Sequence, residues 1–316
     1  MGSIGPQMRN PKPETRNPKS LDRLILSKTD DSIRVRCPAK ANLFLKVLGR
    51  RSDGYHDVQN VMQTISLFDK LSVRKQKERV TLSCSGETID GAAEENLVVR
   101  AANLFFRRGY ARPGVHLELK KNIPVAAGLG GGSSDAACCL LALNELFSAA
   151  LSSDALREMA AELGSDVPFF IEGGTALCTG RGEIVRPLSP APPFTGVLVT
   201  PKSRFKTSAM YALLAQDDSD GPDLDDMLRS IESGDLASVC SALFNSFTTA
   251  AFRLAPELPR LRHILQKLGS MSVVLCGSGP TLLGVFQGIS QGEAAMRELQ
   301  AASLGETRLV HLTASF

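Results

Sequence analysis

Apolar and polar residues follow several distinct rhythms along this chain. Ile33 to Arg36 and Asn42 to Val47 read as strands. Beyond a turn at Ser52-Asp53-Gly54, Val58 to Ile65, Lys70 to Arg74 and Val80 to Ser83 read the same way. From Asn96 to Arg108 the rhythm changes, with Leu97, Ala101, Leu104 and Phe105 recurring at helical spacing. Val115, Leu117 and Leu119 then alternate with His116, Glu118 and Lys120, the period of a half-buried strand. That strand runs through Asn122-Ile123-Pro124 into a glycine-serine run, after which Ala137, Leu140, Leu141, Asn144 and Phe147 fall on successive helical turns. A second helix is predicted over Asp154 to Leu163, capped by Ser153 and stopped by Gly164. The second half opens on a strand, Gly196 to Thr200, and continues with helical patterns broken by an acidic loop at Asp217 to Asp223. It closes with strands at Ser272 to Cys276 and Leu282 to Phe286, a helix near Glu293 to Ala302 and a strand at Arg308 to Thr313. Strands and helices mix without the regular alternation of a parallel barrel, so the expected class is α+β.

A length of 316 residues favours two domains. The proline-dense Leu188 to Pro193 is the expected boundary, separating 32–187 from 194–316, with 1–31 as a disordered tail. A hydrophobic fraction of 43% and a charged fraction of 22% suit a soluble globular protein. The net charge is only +3 and the basic residues are dispersed, which argues against nucleic acid as a partner. No apolar run is long enough to span a bilayer, so no membrane association is expected. The first 20 residues lack the apolar core of a secretory signal; a cleaved plastid address is the alternative to a plain tail. Seven cysteines without metal spacing predict free thiols in a reducing, cytoplasmic compartment.

Five segments carry candidate chemistry. In Pro124-Val125-Ala126-Ala127-Gly128-Leu129-Gly130-Gly131-Gly132-Ser133-Ser134, the glycines let the backbone pass close to a ligand, and the helix that follows offers its unpaired amides and positive dipole end. A phosphate suits that arrangement; a glycine turn shaped only for packing is the alternative. No Gly-Lys-[Ser/Thr] ends the loop, and Ser133 stands where a dinucleotide fingerprint needs glycine. Asp166, between a helix stop and an apolar run, is either a turn hydrogen-bonder or a general base. Lys40 and Asn42 share one face of an otherwise apolar strand, so the lysine is at an edge or paired with an anion. Tyr55 and His56 sit together on a tight turn. Gly277-Ser278-Gly279 forms a second glycine turn between two strands, either a plain hairpin or a ligand contact.

Taken together and in this order, these segments resemble the GHMP kinase superfamily, named for galacto-, homoserine, mevalonate and phosphomevalonate kinases. Within it they look most like the members that phosphorylate the 2-hydroxyl of 4-diphosphocytidyl-2-C-methyl-D-erythritol in the non-mevalonate isoprenoid pathway. The resemblance implies a two-domain fold, with an N-terminal ribosomal-protein-S5-like nucleotide domain and a C-terminal α/β sandwich domain. It implies ATP and Mg2+ as cofactors, a small-molecule substrate, and a monomer or weak homodimer. Asp166 matches the base, and Lys40 the lysine that pairs with it. Residues Pro124 to Ser134 match the ATP-phosphate loop, with Ser134 as the candidate magnesium ligand. Asn42, Tyr55, His56, Tyr211, Gly277, Ser278 and Gly279 match substrate-binding positions, with Tyr55 and Tyr211 on the two faces of the cytosine and His56 hydrogen-bonding it. The chain departs from the pattern at Val125-Ala126-Ala127, where the family often has a further glycine or a polar residue. Two rival readings are another superfamily member, which would have no base for Tyr55 and His56 to read, and a nucleotide- or RNA-binding protein that lost the chemistry and would lack Asp166 or Lys40.

Overall fold

A computed structural model describes residues 19–87, 92–111, 114–214 and 221–312. A short helix, α1 (Lys19–Leu24), and strand β1 (Ile25–Lys28) lead into a long antiparallel hairpin of β2 (Ser32–Arg50) and β3 (His56–Lys75). Then come β4 (Val80–Gly86), α2 (Leu97–Arg107) and β5 (Val115–Lys121). Strands β4 and β5 run parallel, a pairing that needs a crossover, and α2 supplies it. Helices α3 (Gly131–Leu146), α4 (Ser153–Leu163) and α5 (Phe169–Glu172) follow, then β6 (Thr175–Thr179) and β7 (Ile184–Pro187). Beyond the proline-rich segment lie β8 (Phe194–Thr200), α6 (Thr207–Ala212), α7 (Leu224–Ser233), α8 (Leu236–Ala242), β9 (Phe244–Asn245), α9 (Thr248–Leu254) and α10 (Glu257–Lys267). The last elements are β10 (Ser272–Leu275), β11 (Leu282–Phe286), α11 (Ile289–Ala301) and β12 (Glu306–Leu312).

Strands β1 to β7, with β9, make one eight-stranded sheet ordered β1-β2-β3-β5-β4, with β6 and β7 added beside β3 and β9 beside β2. A second, antiparallel sheet is ordered β10-β11-β8-β12. The class is α+β. Helices α2, α3 and α4 cover one face of the hairpin in a core that includes Val35, Phe105, Leu140 and Phe169. The other face, through Ala39, Ala41, Leu43 and Ile65, packs on Met227, Ile231 and Leu283 from the C-terminal half.

This double coverage explains one difference from expectation. Residues 33–36 and 42–47 belong to a single strand. Nine consecutive residues, Cys37 to Leu45, are buried, so alternation vanishes where both faces are covered. Pro38, which cannot donate to a ladder, sits at a register shift. Strand β3 likewise joins two predicted pieces. Strands β6 and β7 were not predicted; β6 is nearly all buried and short, with no period to read.

The expected disordered tail needs correcting from residue 19 onward: α1 and β1 are ordered because Leu21 and Leu24 enter the helical core and β1 pairs with β2. Residues 1–18 lie outside the described residues, as does most of the acidic loop at Asp217 to Asp223. Helix α4 is capped one residue earlier than predicted, by Ser152, whose hydroxyl accepts from the Ala155 N–H at 3.2 Å. All seven cysteines are free and all but Cys84 are buried.

Candidate active site

The middle of β2 brings Lys40 and Asn42 to one face, two residues apart, and buries both, at 2% and 1% exposure. A buried ammonium requires partners. Lys40 Nζ donates to Asn42 Oδ1 at 2.6 Å and lies 3.8 Å from Asp166 Oδ2. Asp166 stands in the turn between α4 and α5. Val167, Phe169 and Phe170 on its C-terminal side are buried and anchor that turn, while the Asp166 side chain stays partly open to the cavity. Lysine and aspartate therefore meet as a charge pair just outside hydrogen-bond reach, beside open space.

Asn42 lines the cavity and already makes three hydrogen bonds, the first from Lys40. Its Oδ1 also accepts from the Gly277 N–H at 2.7 Å, and its Nδ2 donates to Asn60 Oδ1 at 2.8 Å. One Nδ2 proton is left over. Asn42 thus orients Lys40 and ties the second glycine turn to β2. Asn245 holds the same turn from below, donating to the Leu275 and Gly277 carbonyls at 2.8 Å each.

The first glycine loop crosses from β5 to α3 directly against Lys40, whose backbone N–H donates to the Leu129 carbonyl at 3.0 Å. Gly130 caps α3 at φ +70°, and a Cβ there would meet the Phe170 ring at 2.9 Å and Lys40 Cγ at 3.0 Å, so only glycine fits. Ser134 N–H bonds back to the Gly130 carbonyl at 2.9 Å, and Gly130 to Ser133 line a cavity of about 580 Å3. The first-turn amides of α3 at this wall have no intrahelical partner, and a helix end of this kind suits an anion. Ala126 lies at φ +55°, a conformation glycine prefers, at the site of the departure noted in Val125-Ala126-Ala127.

Beneath the loop lies a buried triad. Lys121 Nζ bonds both Asp69 and Asp135, the latter at 2.8 Å, while Asp69 Oδ1 also accepts from the Asn122 and Ile123 backbone N–H groups. Burial pushes the Asp135 carboxyl up to about 7, with Lys121 opposing and Asp69 reinforcing the shift. Burial lowers Lys121, but the two carboxylates more than restore it and leave it above its ordinary value.

Several expected contacts are placed differently. Ser134 is fully buried, does not line the cavity, and its hydroxyl has no partner among the described residues. A helix rotates its side chains by about 100° per residue, so Ser133 takes the cavity-facing position instead. Tyr211 lines the cavity, but His56 is stacked on it, ring centroids 4.6 Å apart and planes 21° apart, and neither His56 nor Tyr55 lines the cavity. Flat rings bury apolar area by closing on one another, and Phe247 meets Tyr211 edge-on at 4.9 Å. Tyr55, half exposed, instead carries the Arg181 guanidinium over its ring at 4.7 Å. Burial, with the Asp166 charge second, pushes the Tyr211 hydroxyl up to about 12. Gly277 and Ser278 line the cavity, whereas Gly279 turns back against Phe205 and Leu275.

Sequence reasoning missed Asn60, Lys121, Arg181 and the Glu95-Asn96 pair, all of which line the cavity. Lys121 carried a signal, since it breaks the alternation of β5 with a second consecutive lysine and is nevertheless buried. The others had no local mark.

Comparison with known proteins places this geometry among relatives. Residues 96–174 match the GHMP kinases N terminal domain and residues 227–303 the GHMP kinases C terminal domain. The 4-diphosphocytidyl-2-C-methyl-D-erythritol kinase of Pelotomaculum thermopropionicum is 43% identical over 249 residues, 78% of this chain and 86% of that protein. A crystal structure of 4-(cytidine 5'-diphospho)-2C-methyl-D-erythritol kinase superposes with a TM-score of 0.76 at 36% identity, covering 88% of this chain and 98% of that one. Homoserine kinase from Cytophaga hutchinsonii shares the fold, with a TM-score of 0.70 at 17% identity over 92% of this chain and 97% of that one.

Proposed function

This chain belongs to the GHMP kinase family, and from that premise we propose that it transfers the γ-phosphoryl group of ATP to the 2-hydroxyl of 4-diphosphocytidyl-2-C-methyl-D-erythritol. The observation that carries the reading is the Lys40–Asp166 pair, 3.8 Å apart at the edge of the glycine-loop cavity. Phosphoryl transfer asks a protein mainly for positioning and charge stabilisation. The amides from Gly130 to Ser133 would take the ATP phosphates, and the cavity wall at Glu95, Asn96 and Leu97 would take the nucleoside end. Asp166 would accept the proton of the substrate hydroxyl as its oxygen attacks the γ-phosphorus and the bond to ADP breaks. Lys40, oriented by Asn42, would hold that oxygen and offset the charge gathering on the transferred group.

Among the residues lining the cavity, the Ser133 hydroxyl and the Asp166 carboxylate are hard oxygen donors, the kind Mg2+ prefers. They would hold the ion, which neutralises phosphate charge when bound. Tyr211 would stack on the cytosine once His56 swings from its face; His56 would then be free to hydrogen-bond the base, and Tyr55 to cover its other side. No described helix is long and apolar enough to cross a membrane. With seven free thiols and bacterial relatives, we place its action in the reducing cytoplasm, as a monomer or weak homodimer.

The test is a coupled ATP-consumption assay across 4-diphosphocytidyl-2-C-methyl-D-erythritol, mevalonate and homoserine. Turnover of the first alone is expected. Turnover of mevalonate or homoserine without the first would overturn the assignment.

A further inference from the structure

We propose that Arg181 receives the diphosphate bridge of the substrate and thereby sets the preference for a nucleoside-diphosphate-linked alcohol. This rests on the substrate class proposed above.

Arg181 occupies the turn between β6 and β7, which reaches Tyr55 through the Arg181 side chain and the Asp166 loop through Gly182. On one side its guanidinium lies over the Tyr55 ring at 4.7 Å. On the other, the adjoining Gly182 reaches the Asp166 loop: a Cβ at 182 would stand 3.6 Å from Ser165 and 3.9 Å from Asp166 Oδ1. The turn itself is pinned, because the Val58 N–H donates to the Gly180 carbonyl at 2.9 Å and the Arg181 N–H donates to Glu183 Oε2 at 2.6 Å. A group linking a base near Tyr211 to a hydroxyl at Asp166 would pass this guanidinium.

Charge accounting points the same way. Among the described residues lining the cavity, the cations are Lys40, Lys121 and Arg181. Lys121 is enclosed between Asp69 and Asp135, and Lys40 is buried and held by Asn42 beside Asp166. Arg181 is the most open of the three, its side chain 27% exposed, with Glu183 Oε1 at 3.5 Å and the Asp53 carboxylate also within reach of its charge. The ATP phosphates have the helix amides; the substrate's two phosphates have no other lining cation left to them. A guanidinium fork matches phosphate oxygens in a bidentate manner, which a lysine does not.

The test compares cytidine diphosphate with cytidine, binding to wild type and Arg181→Met in the presence of saturating ADP and measured by calorimetry, alongside steady-state kinetics with the full substrate. Wild type should bind the diphosphate more tightly than the nucleoside. Arg181→Met should shrink that advantage about tenfold or more, as expected for loss of a charge-assisted contact, with cytidine affinity falling much less than that of the diphosphate and the KM for ATP unchanged. The KM for the full substrate should rise with kcat little altered, and Arg181→Lys should recover only part of the loss. An unchanged diphosphate advantage in Arg181→Met overturns the inference. So does an equal loss for cytidine, diphosphate and ATP, which would mark a structural role. An Arg181-dependent diphosphate advantage in a protein that fails to phosphorylate the substrate sustains the inference and removes the functional reading instead.

Discussion

Gly128→Ala tests whether the two glycine turns form one machine. Gly128 lies at φ +79°, and a methyl there would overlap the Cys276 carbonyl oxygen, 2.9 Å from its carbon and 3.1 Å from the Gly279 nitrogen. Contacting carbons ordinarily sit about 3.5–4.0 Å apart, so the backbones must separate by roughly 1 Å. The left-handed conformation adds about 1–2 kcal/mol for any residue with a Cβ, and overpacking about 1–3 kcal/mol. The separation pulls on the Gly277 N–H that donates to Asn42, and through Asn42 on Lys40. A displacement of about 1 Å in a catalytic group can cost on the order of a hundredfold in rate. Thermal unfolding should therefore show a loss of about 2–5 kcal/mol, and steady-state kinetics a fall in kcat of about a hundredfold. Gly132→Ala is the control: same loop, no positive φ, and a Cβ that meets only Leu97, at 3.7 Å. It should keep near-normal stability. If Gly128→Ala retained wild-type stability and turnover, or if both variants failed alike, the coupling of the two turns through Asn42 would be refuted.

Asp166→Asn keeps the shape and removes the base; kcat should drop about 10²–10⁴-fold while ATP affinity without Mg2+, read by calorimetry, stays close to wild type. Asp135, held near 7 in the fold against about 3.9 unfolded, keeps its proton in the native state at pH values where the unfolded chain releases it. Stability should therefore fall as pH rises from about 4 to about 7, by as much as about 1.4 kcal/mol per unit for this group, and Asp135→Asn should flatten that slope in denaturant titrations across the range. A wild-type slope that persists in Asp135→Asn would show that another group titrates there. Ala126→Gly removes the side chain from a φ +55° position; relief of strain opposes the added freedom of the unfolded chain, so melting should shift by no more than about 1 kcal/mol, in the stabilising direction. A clear destabilisation would show that the Ala126 methyl packs against something that matters.

The local parts of this protein were legible in its residues. The helical spacing from Leu97 to Phe105, the alternation of β5, the glycine loop opening α3 and the turn bearing Asp166 depend on short-range rules of period, capping and backbone freedom. The motif order around Lys40, Gly128 and Asp166 was enough to indicate a kinase of this superfamily. Tertiary packing decided the rest. Burial on both faces erased the alternation that would have joined the halves of β2, and burial of Leu21 and Leu24 ordered a segment that reads as tail. Ser133 rather than Ser134 reached the cavity because helix phase is set by what the opposite face packs against. Asn42 became a tie between two domains because Gly277, 235 residues away, presents its amide there. Arg181 carries no local signature at all. Its importance comes from lying between Tyr55 and the Asp166 loop, a juxtaposition of three separate segments that only the folded chain creates.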